Sequence, residues 1–404
     1  MAKEAYTTKP ELENSIGHDR YEYLLRKALE SAGFKVETAF LKPQNTDDKL
    51  EKFLWESVKS GKHKLTEHHR RKKKGFSLAD LIGKAISACS EPVRASNYVR
   101  KGLTRSYREY IAQNTARTIV TSHYLGLDLE NELDENGNQV RKNVLITPDG
   151  RLHDATLDAL LKSGARIVIP QAPTAKSLRR EHPEFIPSIV GNALPVSKEL
   201  NDIVQERLKR QKKLIDTSSD EPKVHNILIT LGGSGAEFDQ VQEVVKQILE
   251  NPVDKFGFNY KLTVLCGDIS KSHNKQLYEQ LLNLNEFGGM LELVSSRSRD
   301  DELDEWYKAL LNPAYDTVIT RPNEMLTIAP ALGFRTILLD PFQKHEEESV
   351  AMSLFNAQSS TNMTMYKWLL NDASEFTGFE NGIDIAGNYQ RPDFWCKCST
   401  DLPF

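Results

Sequence analysis

Short apolar runs alternate with amphipathic stretches along most of the chain. The opening, Glu4 to Thr8, reads as a strand. After a loop ending Ser15-Ile16-Gly17-His18 comes a helix with an apolar stripe at Tyr21, Leu24, Leu25 and Leu29. Gly33 stops that helix, and Lys35 to Leu41 follows as a second strand, so the chain begins with a βαβ unit. Further strands are predicted at Thr118 to Thr121, Val144 to Thr147 and Arg166 to Pro170, with helical patterns between them. That alternation describes a parallel sheet covered by helices on its faces.

From Ser197 to about Leu214 runs a polar, basic helix, and Asp216-Thr217-Ser218-Ser219-Asp220-Glu221-Pro222 has the composition of a linker. The second half restarts the pattern. Strands are predicted at Asn226 to Thr230, Lys261 to Cys266, Met290 to Val294, Thr317 to Thr320 and Thr336 to Leu339. Helices are predicted at Gln240 to Leu249, Lys275 to Leu284, Asp300 to Leu311 and Glu324 to Leu332. The expected organisation is therefore a first α/β domain over 1–215, a linker over 216–224 and a second α/β domain over 225–404, with the last residues free to return to the first. A chain of 404 residues exceeds what one hydrophobic core usually supports, which agrees with two domains. Two such domains would set the carboxyl ends of their sheets facing each other across a cleft, where open α/β sheets bind ligands.

Composition narrows the setting. Hydrophobic residues make up 39% and charged residues 27%, values of a globular protein, and a net charge of −4 gives no global attraction to a polyanion. Cys89, Cys266, Cys396 and Cys398 are too few and too badly spaced for a disulfide framework, which suits a reducing, cytoplasmic compartment. The pair Cys396-Lys397-Cys398 lacks the further ligands a metal would need, so no metal is expected. The opening Met1 to Lys9 carries charge where a signal peptide needs an apolar run, and no apolar stretch is long enough to span a bilayer.

Two turns carry the chemistry. Leu231-Gly232-Gly233-Ser234-Gly235-Ala236 stands between an apolar strand and a helix. Glycines there let backbone N–H groups close on a diphosphate while the helix N-terminus adds positive dipole. It is neither a dinucleotide fingerprint nor a P-loop, since neither the third spaced glycine nor a Lys-Ser/Thr pair follows. The second turn, Arg321-Pro322-Asn323-Glu324, ends another strand. Asn323 suits a helix N-cap and Glu324 the first turn, and the same residues admit a functional reading in which Glu324 accepts ribose hydroxyls and Arg321 faces phosphate. Asp340-Pro341-Phe342-Gln343-Lys344-His345-Glu346 forms a third polar loop at the same sheet edge, where Gln343 and its neighbours could read a sugar.

In their order these motifs resemble the nucleotide-sugar half of the GT-B glycosyltransferases. The resemblance is to glycosyltransferase family 28, the type of the peptidoglycan lipid-intermediate N-acetylglucosaminyltransferase and monogalactosyldiacylglycerol synthase. Gly17-His18 stands where that family has a glycine-rich loop ending in Gly-His, and Val190-Gly191-Asn192-Ala193-Leu194-Pro195 resembles its Gly-Asn-Pro segment. The resemblance runs through most of the chain in order, and its specific motifs lie in the second half. It implies two Rossmann-like domains, a nucleotide-diphosphate sugar as donor, transfer with inversion, an acceptor held by the first domain, and no metal or other cofactor. Lipid-linked acceptors are typical of the resembled enzymes. The chain departs from the family at Ile328, where a ribose-binding Glu is expected, and at Met352, where an Asn is expected. Glu324, one turn earlier than Ile328, is the candidate for the missing role.

Sugar transfer with inversion needs a base near the acceptor hydroxyl and charge stabilisation for the departing diphosphate. His18 is the first candidate because a loop ending at a helix start would aim it into the cleft. Asp149 and His153, in Thr147-Pro148-Asp149-Gly150-Arg151-Leu152-His153, lie past another strand end, and His123 follows Thr121-Ser122. The run Arg70-Arg71-Lys72-Lys73-Lys74, just before Phe76 and an amphipathic stretch to Ile86, suits an anionic membrane surface. No aromatic residues interleave with its charges, so nucleic acid is not expected. Two rival readings use the same residues: a sugar-nucleotide epimerase of this fold, and a non-catalytic membrane-associated protein that kept it.

Overall fold

The opening βαβ unit forms as its residue pattern requires. Strands β1 (Lys3–Lys9) and β2 (Phe34–Phe40) pair in parallel, with Lys3 opposite Phe34 and Lys9 opposite Phe40. The helix Ile16–Ser31 connects them and buries Tyr21, Leu24, Leu25, Ala28 and Leu29, a stripe at helical spacing. This computed structural model describes residues 3–9, 16–41, 48–57, 97–114, 118–127, 129, 135–136, 140–147, 154–169, 178, 180–184, 189–191, 194, 196–215, 224–231, 237–253, 259–284 and 289–339.

The chain divides into two compact units, and the described residues part between Ser197 and Lys198. In the first unit β1 and β2 are joined by β3 (Thr118–Thr121), β4 (Lys142–Ile146), β5 (Arg166–Val168) and β6 (Ile189–Gly191). The sheet is parallel throughout, in the order β2-β1-β3-β4-β5-β6. Ile119, Val120, Val144 and Ile146 are fully buried, as neighbouring residues must be when both faces of a parallel sheet are covered. Trp55, Leu103, Tyr107 and Ile111 pack in one cluster with Tyr6 and Ile119, while Leu157 and Leu160 pack in another with Leu145 and Ile167.

The second unit contains β7 (Val224–Thr230), β8 (Asn259–Asp268), β9 (Leu291–Ser296), β10 (Thr317–Thr320) and β11 (Arg335–Leu338). They too are all parallel, in the order β11-β10-β7-β8-β9. The helix Phe238–Glu250 lays Val241, Val244, Val245, Ile248 and Leu249 on Ile227, Ile229, Leu262 and Val264. Each such side chain stabilises the fold by about 1.5–3 kcal/mol when fully buried. The protein is thus an α/β protein of two parallel-sheet units, each doubly wound.

The helix Lys198–Ile215 belongs to the second unit, which corrects the expected first domain of 1–215. Two of its arginines tie it there, Arg210 by pairing with Asp316 and Arg207 more extensively. Arg207 is completely buried and donates to the carbonyl oxygens of Tyr315, Leu332, Leu310 and Asn312. Leu310 and Asn312 lie at the end of helix Arg299–Leu311, and Leu332 just past helix Met325–Ala331, so one guanidinium serves two helix C-termini, where a cation is favoured. Its carbon lies 3.7 Å from the centroid of the Phe334 ring. Burial lowers its proton affinity to about 9, with Asp316 opposing, so it stays charged at neutral pH. The linker-like composition after residue 215 misplaced the boundary because it carries no record of this tertiary contact.

Two other buried groups of the second unit impose opposing pH dependences. His225 sits edge-on to Tyr260, and its imidazole is pushed from 6.5 down to about 3, first by burial and then by Arg335 and Arg210. Asp316 accepts from the Asn226 N–H at 3.3 Å and from Arg210 Nε at 3.2 Å, yet burial outweighs these partners and raises its carboxyl from 3.8 to about 6. The unfolded chain takes up the histidine proton first, so the His225 contribution is complete above 6.5 and is lost as pH falls toward 3. Asp316 holds its proton more tightly in the folded chain, so its contribution is present below 3.8 and is lost as pH rises through about 6. The two slopes, each about 1.4 kcal/mol per pH unit, offset one another between about pH 4 and 6. In urea unfolding, His225→Leu should therefore gain about 1.4 kcal/mol on the unmodified protein per unit of acidification across that window. Parallel stability curves would contradict the assignment.

Among the described residues, no helix is long and apolar enough to cross a membrane.

Candidate functional site

In an open parallel sheet, adjacent strands whose connections leave in opposite directions open a crevice at their carboxyl ends. In the first unit that point lies between β1 and β3, because the chain winds from β1 outward to β2 and then returns to the other side of β1. The ends of these strands are tied by a hydrogen bond of 2.6 Å between the hydroxyls of Thr8 and Thr121. Gly126 closes against this pair, and a Cβ there would fall inside contact distance of Thr121 and Thr8, so the close approach requires glycine. Tyr107 donates from its hydroxyl to the Gly126 carbonyl at 2.9 Å and holds the turn from beneath.

His18 stands in the first turn of the helix after β1, half-buried, and Ser122 Oγ donates to its carbonyl oxygen at 3.4 Å. His123 follows β3 and is likewise half-buried. The two imidazoles meet edge to face, with ring centroids 4.8 Å apart and planes at 81°. Asp19 and Arg20, next along the helix, are buried. The structure thus brings together His18, the first candidate base, and His123, from opposite sides of the crevice. Asp149 and His153 lie outside the described residues, as does the basic run from Arg70 through Lys74 with Phe76.

The second unit repeats the arrangement with other residues. Its reversal point lies between β7 and β10, since the chain winds from β7 to β8 and β9 before returning to β10 and β11 on the other side. Again two threonines join the strand ends, Thr230 donating to Thr320 at 2.8 Å. The loop leaving β7 is the glycine turn. Gly232, Gly233, Ser234, Gly235 and Ala236 lie outside the described residues, but Leu231 and Glu237 on either side of them are buried.

The loop leaving β10 supplies Arg321, Asn323 and Glu324. Arg321 is buried, with Nη1 at 3.5 Å from Glu237 Oε2, and both side chains are almost wholly out of solvent. This pairing links the β10 loop to the residue that ends the glycine turn. The cation expected to face phosphate thus meets a buried carboxylate beside the loop. Asn323 takes the capping role read from its type, its Oδ1 accepting from the Met325 N–H at 3.3 Å. Glu324 is buried at the start of helix Met325–Ala331, where its carbonyl accepts from the Thr327 and Ile328 N–H groups. Ile328, at the position where a ribose-binding Glu was expected, is fully buried. Gln343 lies outside the described residues.

Glu237 and the contact of His123 with His18 escaped the sequence reading. Glu237 had a weak signal, being the first acidic residue after the glycine turn, but its partner is 84 residues away. Among the described residues, no three His, Cys, Asp or Glu side chains are grouped so as to hold a metal ion.

No protein-family model matches the chain, and no curated protein sequence does. Solved structures do resemble it distantly. One is Staphylococcus aureus MnaA with UDP, at 11% identity and a TM-score of 0.47, covering 98% of this chain and 94% of that one. Another is the glycosyltransferase SsfS6 from Streptomyces sp. SF2575 complexed with thymidine diphosphate, at 10% identity and a TM-score of 0.47, covering 96% and 95%. The glycosyltransferase SnogD from Streptomyces nogalater matches at 13% identity and a TM-score of 0.43, covering 100% and 99%.

Proposed function

We propose that this protein transfers a sugar from a nucleoside-diphosphate donor, bound by the second unit at the β7–β10 crevice, to an acceptor for which His18 serves as base. The carrying observation is the placement of the two marked loops. The glycine turn leaves β7 and the Arg321–Glu324 segment leaves β10, the two strands flanking the reversal point of that sheet. Backbone N–H groups of the turn from Gly232 to Ala236 would hold the diphosphate and stabilise it as it departs. Arg321, through Glu237, would hold the end of that turn, and Glu324 would meet the ribose. The motif resemblance supports a uridine nucleotide and a GT-B glycosyltransferase. The basic run before Phe76 would suit an acceptor carried on an anionic membrane.

Nucleotide binding tests the donor half directly. UDP and UDP-sugars should raise the melting temperature and bind in isothermal titration, since a ligand at 100 times its Kd stabilises the fold by about 2.7 kcal/mol. Gly233→Val should abolish that binding by filling the space a phosphate needs. If neither UDP, GDP, dTDP nor any of their sugars binds the intact protein, the reading is wrong. Release of free nucleotide with sugar joined to an acceptor marks transfer, whereas an altered sugar still on its nucleotide marks epimerisation.

A further inference from the structure

Two imidazoles meet at the β1–β3 crevice. His123 is fixed by its own loop. Its N–H donates to Thr121 Oγ1 at 3.0 Å, and Thr121 Oγ1 donates to its carbonyl oxygen at 2.8 Å. The threonine hydroxyl proton is thereby spent, so in the 2.6 Å contact Thr8 is the donor to Thr121. This chain of bonds runs from the end of β1 through the end of β3 into the histidine backbone.

The ring is fixed as well. The Leu125 N–H donates to His123 Nδ1 at 3.3 Å, which an imidazole can accept only when that nitrogen carries no proton. That contact orients the His123 ring with Nδ1 toward its own loop. Tyr124 stacks on one side of it, with centroids 4.6 Å apart and planes at 28°, and His18 meets it edge to face. Edge-to-face packing is a favoured arrangement of aromatic rings and carries a directional preference.

We infer that His123 is a positioning residue for His18, offering a fixed ring against which the His18 imidazole is oriented in the crevice. The inference rests on the reading of His18 as the base for sugar transfer. A base gains its advantage from being held where the acceptor proton will be, and small misplacements are costly. The site therefore consists of one imidazole that reacts and a second that keeps it aimed. The charged groups adjacent in sequence, Lys9 at the end of β1 and Asp19 and Arg20 on the helix, are present in every variant below and do not confound the comparison.

The experiment compares His123→Ala with His123→Phe in the full chain, each checked for an unchanged melting temperature. With the ring deleted, kcat should fall about 10- to 100-fold while the KM for UDP-sugar stays the same. Phenylalanine restores a ring for His18 to pack against and should recover most of that loss. Wild-type kcat in His123→Ala overturns the inference, and so does a phenylalanine variant as impaired as the alanine one. The contact itself is read without activity, by a nuclear Overhauser effect between the two imidazoles in 13C-labelled protein, whose absence also overturns it. If His18→Ala leaves transfer intact while that effect is present, it is the reading of His18 as base that has failed.

Discussion

His18→Ala is expected to lower sugar transfer by about 10²- to 10⁴-fold, the range that a positioned general base supplies. The loss should fall on kcat, because the donor is proposed to bind in the other unit and its KM should be unaffected. Stability should change little, since His18 is half-buried in the first turn of its helix and lies outside the apolar stripe of Tyr21, Leu24, Leu25 and Leu29. Steady-state rates with UDP-sugar and acceptor, measured beside a thermal melt, separate the two effects. Full turnover in a folded His18→Ala protein would remove the histidine from the mechanism.

Arg207→Leu should destabilise the second unit by roughly 3–5 kcal/mol, the scale seen when a buried charged group is taken from its partners. The leucine fills much of the volume, so the cost comes from polar groups. The carbonyls of Leu310, Asn312, Tyr315 and Leu332 lose a charged donor inside the protein, and each unsatisfied acceptor is expensive. Asp316 loses one of the cations that offset its burial. Arg207→Lys should recover only part of the stability, because an ammonium is a point charge and cannot span the carbonyls that a planar guanidinium reaches. Urea unfolding followed in the second unit gives the answer as a lowered midpoint. An unchanged midpoint would mean that those carbonyls find other donors.

Much of this fold was legible from the residues because both sheets are parallel and covered on both faces. Their strands then read as unbroken apolar runs such as Ile227-Leu228-Ile229, and helices must separate them. The strands at Thr118–Thr121 and Thr317–Thr320 begin and end where the pattern places them. The strand Ile189–Gly191 was missed, being only 3 residues long and too short to establish a period. The position of the helix Lys198–Ile215 was missed for a different reason. Its sequence is polar and basic, and the contacts that tie it to the second unit, those of Arg207 and Arg210, reach residues far along the chain.

The site was legible at its loops and hidden at its pairings. A glycine turn after a strand and a histidine at a helix start are local signals, visible one segment at a time. The contacts of Arg321 with Glu237 and of His18 with His123 join segments far apart in the chain, and strand order alone brings them together. The threonine pairs at the two reversal points are of the same kind, for nothing in either segment marks Thr8 for Thr121 or Thr230 for Thr320.

The anchoring of Arg207 bears on how this gene product could be dissected. A fragment starting at Val224 would discard the side chain that closes two helix ends, leaving raw acceptors on its surface. One starting at Lys198 would carry its own stopper. The natural seam of the chain therefore lies ahead of the basic helix, and domain shuffling in evolution or by hand should respect it.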